Sequence, residues 1–456
     1  MGTDENFAKL GLKVPELILP APGTDLTKWA VVACDQYSSE REYWEKAAAA
    51  VGPAPSTLNL VYPECYLEDA DKKERVGRIQ ATMHDYLARG ILSSRGTGLV
   101  LVERFTPYEK EPRKGLVAAV DLEKYQYGKD SKSLIRPTEG TIVERLPPRM
   151  DIRRGAPVEL PHIMLLVDDP SRSVIEPLYA RRERLPKLYD FDLMLGSGRI
   201  RGWQVKDEAS LAGVAAALDR LADPEAFRAK YGSDDVLLFA VGDGNHSLAT
   251  AKAIWEETKA KLAPGDPLRE NHPARFALVE LVNIYDEGLP FHPIHRVLFG
   301  AGIPFMHDGL TRWHVAHEGE RLPSPAAVFA RVDEPGRPGT HKIGVITRDT
   351  NICITFTNPT HRLAAGTIQE FLDSRLKEVP SVSIDYIHGT GSLEALATKA
   401  PPAGQEGNLG LYLPPIDKSS FFATVIKDGV MPRKTFSMGE APEKRFYVEA
   451  RRIAPS

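Results

Sequence analysis

Hydrophobic and polar positions change period along the chain, and this pattern predicts a succession of strands and helices. Short apolar runs bounded by glycine, proline or polar residues are typical of buried strands, and they occur at 29–34, 98–105, 115–122, 162–167, 236–241 and 275–285, and near 342–348, 352–357, 382–387 and 420–426. Segments opened by capping residues or rich in helix formers predict helices; these are 39–51, 72–89, 172–184, 208–222, 247–261 and 364–378. The mixture indicates an α+β (mixed α/β) fold.

Length and composition indicate a globular protein with several folding units. The chain has 456 residues, of which 42% are hydrophobic and 26% are charged, so it can bury a sizeable core. We divide it into an N-terminal α/β region at 1–150, a central region at 151–300 that holds the motif described below, and a C-terminal α+β region at 301–456.

Charge and cysteine content exclude several classes of protein. The net charge of -4 argues against a protein that binds nucleic acid through bulk charge. Three widely separated cysteines, Cys34, Cys65 and Cys353, support neither a disulfide framework nor a four-cysteine zinc site. No apolar run approaches the ~20 residues of a membrane helix, and the first ten residues lack the pattern of a secretion signal. We therefore expect a cytoplasmic protein with no membrane or nucleic-acid partner.

A glycine-rich turn joins the apolar strand at 236–241 to the helix at 247–261, in the order Gly-Asp-Gly-Asn-His-Ser. Such a turn aims free backbone N–H groups and the positive end of a helix at one point, where an anion can bind. Gly242 and Gly244 let the backbone approach a phosphate without a side-chain clash. Asp243 is suited to a divalent cation that bridges phosphates, and His246 to a hydrogen bond with a phosphoryl oxygen or to proton transfer.

The same spacing also fits an ordinary turn in which Asp243 or Asn245 caps the helix, and the spacing alone leaves both alternatives open. The turn is not a Walker loop, because no Gly-Lys-Ser/Thr follows, and it lacks the third glycine of the dinucleotide fingerprint.

Five segments carry a resemblance to a known family. The turn and its helix, Gly-Asp-Gly-Asn-His-Ser-Leu-Ala-Thr-Ala at 242–251, resemble the Asp-Gly-His-His-Arg signature of the domain of unknown function 1015 family, and the segments at 28–40, 136–141, 161–169 and 384–389 also resemble that family. The turn is similar to the phosphate-binding motif of the ParB/sulfiredoxin superfamily, some of whose members are nucleotide-dependent free-serine kinases. The resemblance implies a ParB/sulfiredoxin-like phosphate-binding core with additional α/β regions.

The resemblance assigns roles to the residues of the turn. Asp243 matches the acidic position and is expected to contact a metal or a substrate hydroxyl, Gly244 matches the turn glycine, and His246 matches the second histidine. Asn245 and Ser247 depart from the family, because many members have histidine and arginine there. A serine hydroxyl is a weaker anion ligand than a guanidinium group, so another arginine must compensate.

The segment 133–154 offers those arginines and a base. Arg136, Arg145 and Arg149 are the expected phosphate ligands, and the alternative is a solvated loop with surface ion pairs of little energetic value. Glu139 matches the family's Arg-x-x-Glu-x-Thr position and is the candidate general base. It is expected within about 10 Å of His246, so that it can reach an acceptor hydroxyl. The rival bases are Glu144 and Asp169.

Further candidates lie outside the turn. His162, His295, Arg296, Asp385 and His388 are the expected substrate-binding residues, and a structural role is an open alternative for each. Asp169, which follows Asp168 at the end of a strand, is a second candidate metal ligand beside Asp243, although it is equally suited to cap the next helix.

Together these features predict a small-molecule phosphotransferase, in the sharpest form a nucleotide-dependent free-serine kinase. The expected cofactors are Mg²⁺ and ATP or ADP as the phosphoryl donor, and the expected partners are a small-molecule substrate and the nucleotide. Two alternatives stay open: a phosphatase acting on a phosphorylated metabolite such as phosphoserine, and a ParB-like ligand-binding or regulatory protein.

Overall fold

The computed structural model of the chain describes residues 2–128, 131–432 and 434–455. Contacts within these residues form two units, 1–290 together with 438–456, and 291–437. Both mix helices and strands, so the predicted α+β class is confirmed. The units have other bounds than the three regions 1–150, 151–300 and 301–456, because one sheet takes strands from the first two regions and the last residues return to the first unit. None of the helices described here is long and apolar enough to cross a membrane.

Most strands of the first unit belong to one mixed sheet. The strands of this unit that precede the second unit are β1 Leu12–Lys13, β2 Glu16–Pro20, β3 Leu92–Thr97, β4 Leu99–Phe105, β5 Arg113–Asp121, β6 Ile135–Pro137, β7 Val158–Glu159, β8 Met164–Val167, β9 Lys187–Asp192, β10 Arg199–Val205, β11 Phe239–Asp243 and β12 Phe276–Asn283. Those of the second unit are β13 His292–Pro293, β14 His295–Phe299, β15 His317–Arg321, β16 Thr340–Ile346, β17 Asn351–Thr357, β18 Ser383–Ile387, β19 Leu409–Tyr412 and β20 Phe436–Ser437, and β21 Arg451–Arg452 belongs to the first unit again.

Helices follow or connect these strands. In the first unit they are α1 Thr3–Lys9, α2 Leu26–Trp29, α3 Arg41–Val51, α4 Lys72–Ala88, α5 Leu146–Arg153, α6 Glu176–Ala180, α7 Glu208–Leu221, α8 Pro224–Tyr231, α9 Asn245–Lys259 and α10 Leu268–Asn271. In the second unit they are α11 Gly302–Arg312, α12 Pro325–Asp333, α13 Ala364–Glu378, α14 Thr390–Ala397 and α15 Lys418–Lys427.

The large sheet of the first unit is buried on both faces. Its order in the described residues is β6, β11, β8, β12, β5, β4, β10, β9, with β1 beside β5. Successive residues of β4 alternate between two apolar clusters: Leu99 and Leu101 belong to one, and Val100 and Val102 to the other. Near one edge, β11 runs parallel to β6 and antiparallel to β8. The carboxyl ends of β6 and β11 therefore meet at the same end of the sheet.

The last residues of the chain, 438–456, are built into the first unit. Phe446 forms a β-bridge with Val32, and Ala450 forms one with Ile18. Next to Phe446, the buried Arg445 pairs with Glu280 of β12 and with Glu449. This segment thereby brings residues from the end of the sequence beside the segment at 31–34.

The second unit is built on its own sheet. Among its described residues the order is β15, β17, β16, β19, β14, β18. The apolar side of α13 and residues of β16, β17 and β19 form its main core, which includes Ile368, Phe371, Ile343, Phe356 and Leu411.

Three predicted elements are wrong. The run at 29–34 is the end of α2 followed by a single bridge at Val32, because its apolar side chains are buried against the returning C-terminal segment rather than in a sheet. The helix predicted at 172–184 is shortened to α6, because the Asp169 carboxylate binds the backbone N–H groups of Ser173 and Val174 before the helix begins.

The run at 420–426, predicted as a strand, is part of α15. Asp417 caps this helix by accepting a hydrogen bond from the Ser419 N–H group. Its apolar residues Phe421, Phe422 and Val425 are buried, with the i, i+4 spacing of one helix face. A short apolar run fits a strand and a helix equally well, and here the cap decides.

Candidate active site

The turn between β11 and α9 has the predicted strand–turn–helix form. Gly244 adopts the left-handed conformation with φ 78° at the cap position of α9, which begins at Asn245, and it makes no side-chain hydrogen bond to the helix. The first N–H groups of a helix have no acceptor within the helix, so this end is suited to an anion. A Cβ atom added to Gly242 would lie 2.8 Å from Met438, and one added to Gly244 would lie 3.0 Å from Ile163. Packing therefore requires both glycines, whatever binds beside them.

Asp243 stands at the end of β11 and forms an ion pair. Its Oδ1 accepts a hydrogen bond from Gly244 N at 2.8 Å, and its Oδ2 lies 3.2 Å from Lys444 Nζ, with the two side chains 26% and 13% exposed. Burial acts to raise the pKa of the carboxyl group, but Lys444 and His162 outweigh it and hold the pKa below its ordinary value. Because the residue at the helix cap is Gly244, the alternative in which Asp243 or Asn245 caps α9 does not describe this turn.

The segment after β6 lies beside the turn. Pairing in parallel sets Pro137 opposite Val241, and Thr138 then donates a hydrogen bond to the Val241 carbonyl at 2.6 Å. Four residues later, Ile142 N donates to His246 Nε2 at 3.4 Å. Glu139 belongs to the short stretch between these two contacts, which agrees with its expected proximity to the turn; its function as a base stays a prediction.

The three predicted arginines lie in different environments. Arg136 is buried and donates to the carbonyls of Ser133 at 2.9 Å and Asp235 at 2.7 Å, and burial lowers its pKa. Arg145 is exposed, whereas Arg149 is 18% exposed and pairs with Glu64. Arg149 is therefore the arginine of this set that is placed in a cavity, as described next.

A cavity of about 140 Å³ lies beside the first turn of α9. Much of its wall is apolar, and its polar lining comes from widely separated parts of the chain: Cys34, Glu64, Arg149, Arg153, Glu159, His162, Ser247, Thr250 and Tyr447. The Glu64 carboxylate is 20% exposed. Burial raises its pKa, Arg149 opposes the rise and Asp35 adds to it, with a net increase above the ordinary value.

A chain of hydrogen bonds crosses one wall of this cavity. Ser247 Oγ lies 2.7 Å from His162 Nε2, and Tyr447 Oη lies 2.6 Å from His162 Nδ1. Tyr447 in turn donates to Cys34 Sγ at 3.2 Å and accepts from Cys34 N at 3.1 Å. Asp35 Oδ2 is 3.9 Å from His162 Nε2. His162, predicted as a substrate ligand, is thus placed against the Ser247 of the motif.

Asp169, the second predicted metal ligand, is occupied by hydrogen bonds within the protein. Asp169 is fully buried and accepts hydrogen bonds from Ser173 N at 2.6 Å and Val174 N at 2.9 Å, while Asp168 pairs with Lys230 at 2.6 Å. Among the described residues, no group of three or more histidine, cysteine, aspartate or glutamate side chains is placed to hold a metal ion. A metal ligand function of Asp243 or Asp169 stays a prediction.

The other predicted substrate ligands lie together in the second unit. His295 and Arg296 of β14 pair with β18, the strand that carries Asp385, and His388 follows it. His295 is buried, accepts a hydrogen bond from Leu413 N at 3.2 Å, and burial lowers its pKa to about 4. Burial also lowers the pKa of Arg296 to about 10. The strand pairing brings these residues together, and nothing in their contacts identifies a ligand.

Sequence reasoning missed three residues of the site: Glu64, Lys444 and Tyr447. Glu64 lies in a 3₁₀ turn after Pro63, and Lys444 and Tyr447 lie in a charged and aromatic stretch near the end of the chain. Only the run Lys-Arg-Phe-Tyr-Val-Glu, with charged residues at both ends of an apolar stretch, marks that segment in the sequence. Their approach to the turn depends on tertiary contacts.

Comparison with solved structures concerns the fold alone. The chain is similar to solved structures of low sequence identity: a mutant of free serine kinase in complex with ADP (8% identity, TM-score 0.38, covering 74% of this chain and 92% of that one), a conserved hypothetical protein from Pyrococcus furiosus (10%, 0.35, 73% and 95%), and SbnI with a C-terminal truncation from Staphylococcus aureus (11%, 0.31, 73% and 82%). The chain matches no curated protein.

The family is established by sequence. Residues 18–375 match the family described as "Protein of unknown function (DUF1015)", and the chain belongs to it. The match includes the turn, the Glu139 segment, His162 and Glu64. Lys444 and Tyr447 lie beyond it, in the segment that returns to the first unit.

Proposed function

We propose that the protein is a small-molecule phosphotransferase that uses ATP or ADP as donor and a metabolite hydroxyl as acceptor, with free serine as the acceptor implied by the motif. The observation that carries the proposal is the start of α9 after the left-handed Gly244, flanked by the Asp243–Lys444 pair and by a cavity lined with Ser247 and Arg149. Phosphoryl transfer depends mainly on positioned charges and hydrogen-bond donors, and these residues supply them.

The phosphate-binding part of the proposal rests on the positive charges around the turn. A helix start carries about half a positive charge, and Lys444 is held beside it by Asp243. Arg149 adds a guanidinium group in the cavity. These groups supply the compensation that Ser247 requires in place of the family arginine, and His246 adds a hydrogen-bonding imidazole.

Mg²⁺ is compatible with this donor set in one arrangement. Mg²⁺ is commonly held by one or two carboxylates while phosphate oxygens and water complete its shell. Asp243, which is ionised at neutral pH, fits as the single protein carboxylate, and the metal would neutralise charge on the phosphates. Asp169 is not part of the proposal, because its carboxylate already accepts the backbone N–H groups of Ser173 and Val174.

Glu139 is proposed as the general base. A hydroxyl group needs a proton acceptor within hydrogen-bond reach when it attacks phosphorus. The contacts of Thr138 and Ile142 on either side hold the segment of Glu139 against the turn. The acceptor hydroxyl would therefore give its proton to Glu139 while the phosphate is held at the start of α9.

The test is a direct assay of transfer. The full chain is incubated with Mg²⁺, L-serine and either ATP or ADP, and nucleotide and O-phosphoserine are measured together by mass spectrometry. We expect equal amounts of the nucleotide product and phosphoserine. Glu139→Gln should lower kcat about 100-fold, whereas Glu144→Gln, a change at an exposed carboxylate of the same segment, should not.

Two outcomes contradict the proposal. Release of phosphate from phosphoserine without any nucleotide would identify a phosphatase instead. No product with either nucleotide and a panel of hydroxy metabolites, from a protein that melts cooperatively, would remove the phosphotransferase assignment.

A further inference from the structure

The hydroxyl group of Ser247 is held by an imidazole and faces a cavity. Its Oγ atom is 2.7 Å from His162 Nε2, and both side chains line the cavity of about 140 Å³. Hydrogen bonding between a serine hydroxyl and a histidine that is itself oriented by a third group is the arrangement that activates nucleophiles.

The third group, Tyr447, contacts the other imidazole nitrogen, and the activation of Ser247 requires one of the two tautomers of His162. Tyr447 Oη accepts from Cys34 N at 3.1 Å and lies 3.2 Å from Cys34 Sγ, to which it can donate its proton. In the required tautomer, the contact of 2.6 Å with His162 Nδ1 is a hydrogen bond donated by Nδ1–H. This tautomer leaves the Nε2 lone pair to accept the Ser247 proton.

The groups near the His162 imidazole include two neutral side chains and two carboxylates. Burial raises the pKa of Tyr447 well above its ordinary value and raises that of Cys34 to about 12, so both stay neutral. Asp35 Oδ2 lies 3.9 Å from His162 Nε2, and the electrostatic effect of His162 lowers the pKa of Asp243. Two carboxylates therefore lie near the imidazole that takes the Ser247 proton in the step proposed below.

The position of Ser247 in the helix favours one kind of group on its oxygen. It is the third residue of α9, and phosphate on a serine in the first turn of a helix is stabilised by the helix dipole and free N–H groups. Arg149 lines the same cavity. An acyl group would gain little from these charges, whereas a phosphoryl group gains from each.

We propose that Ser247 is a catalytic nucleophile that His162 activates and that carries the phosphoryl group as a covalent intermediate. This inference rests on the proposed phosphotransferase function. It replaces direct transfer from donor to acceptor with transfer in two steps. Ser247 and His162 carry out the first step, and Glu139 acts as the base only in the second.

Both steps balance. In the first, Ser247 Oγ bonds to the terminal phosphorus of the nucleotide, the bond from that phosphorus to the bridging oxygen breaks, the shortened nucleotide leaves, and the Ser247 proton goes to His162 Nε2. In the second, the acceptor hydroxyl bonds to the phosphorus and gives its proton to Glu139. The bond between phosphorus and Ser247 Oγ breaks, and Oγ takes the proton back from His162.

Two probes test the nucleophile. A fluorophosphonate reports the reactivity of Ser247 without any assumption about the natural donor, and ATP or ADP without acceptor reports the intermediate; peptide mass spectrometry locates the modified residue in each case. We expect both to modify Ser247, and addition of L-serine to discharge the phosphoryl form. His162→Gln should slow the modification about 100-fold, and Thr258→Val, which removes a hydroxyl from the same helix outside the cavity, should leave it unchanged.

The outcomes separate this inference from the function on which it rests. Phosphoserine production by a folded Ser247→Ala variant at the rate of the natural protein would overturn the covalent intermediate and leave the phosphotransferase standing. Modification of Ser247 by the fluorophosphonate but by neither nucleotide would support the activated serine and contradict the proposed donor. If the fluorophosphonate leaves Ser247 unmodified, or modifies it equally in His162→Gln, the activation by His162 is refuted.

Discussion

Replacing Asp243 with asparagine tests the turn most directly. The asparagine keeps a carbonyl oxygen for the hydrogen bond from Gly244 N, which is 2.8 Å long in the structure, and removes the charge that lies 3.2 Å from Lys444 Nζ. At that distance the Coulomb attraction is about 5 kcal/mol for an effective dielectric constant of about 20. Desolvation of the two partly buried groups offsets most of it, so we expect a net loss of about 1–2 kcal/mol in the free energy of unfolding.

Activity should fall much further than stability. If Asp243 contacts a metal or the substrate, kcat/KM should fall about 100-fold or more, while urea unfolding shows only the modest loss. Four of the five tryptophans lie in the first unit, so their fluorescence reports mainly on the part of the chain that carries the change. Asp168→Asn is the matched control, because it removes a carboxylate paired with Lys230 at 2.6 Å and should leave kcat/KM unchanged.

The pH dependence of this difference has a definite sign. The pKa of Asp243 is lower in the folded protein than its ordinary value, so its contribution is complete above the ordinary pKa and is lost as the pH falls through the folded pKa. The stability difference between the natural protein and Asp243→Asn should therefore shrink below about pH 4. A variant that loses more than 3 kcal/mol of stability, on the scale of a broken buried pair, but keeps its turnover per folded molecule would refute the reasoning and make Asp243 a structural residue.

Three further measurements follow from buried groups. Arg445→Met removes the buried cation that Glu280 and Glu449 share, and it should reduce the free energy of unfolding by about 3–5 kcal/mol, measured by urea titration. The pKa of His295 is lowered to about 4, so the unfolded chain binds more protons below its ordinary pKa; stability of the second unit should fall as the pH drops from about 6.5 to 4, and His295→Gln should flatten this profile. The pKa of Cys34 is raised to about 12, so alkylation by iodoacetamide at pH 8 should be about 1,000-fold slower than for a free thiol, as followed by peptide mass spectrometry.

Local signals in the sequence were sufficient for the strand–turn–helix. The run at 236–241 and the helix former content of 247–261 predicted β11 and α9 within a few residues, because both the apolar period and the glycines that separate them are local properties. The same reasoning failed at 29–34 and 420–426, where an apolar run without a clear period is compatible with more than one backbone conformation.

The residues around the turn could be predicted only where they adjoin a recognisable segment. His162 and Glu139 could be predicted as candidates because each belongs to a segment that resembles the family. Lys444 and Tyr447 were not, because they reach the turn through the bridge between Phe446 and Val32, which joins parts of the chain more than 400 residues apart. Glu64 likewise depends on Arg149 for its place in the cavity.

The cations expected near the turn show how tertiary contacts change the chemistry that a motif suggests. The sequence offered Arg136 as a substitute cation, but its guanidinium group is committed to the Ser133 and Asp235 carbonyls and is buried among them. Lys444 and Arg149 are the cations near the turn instead, and each is paired with a carboxylate: Lys444 with Asp243, and Arg149 with Glu64 in the cavity wall. Ser247, whose hydroxyl group lies 2.7 Å from the His162 imidazole, lies in the first turn of α9. The helix start that is proposed to hold the phosphate therefore also carries the proposed nucleophile.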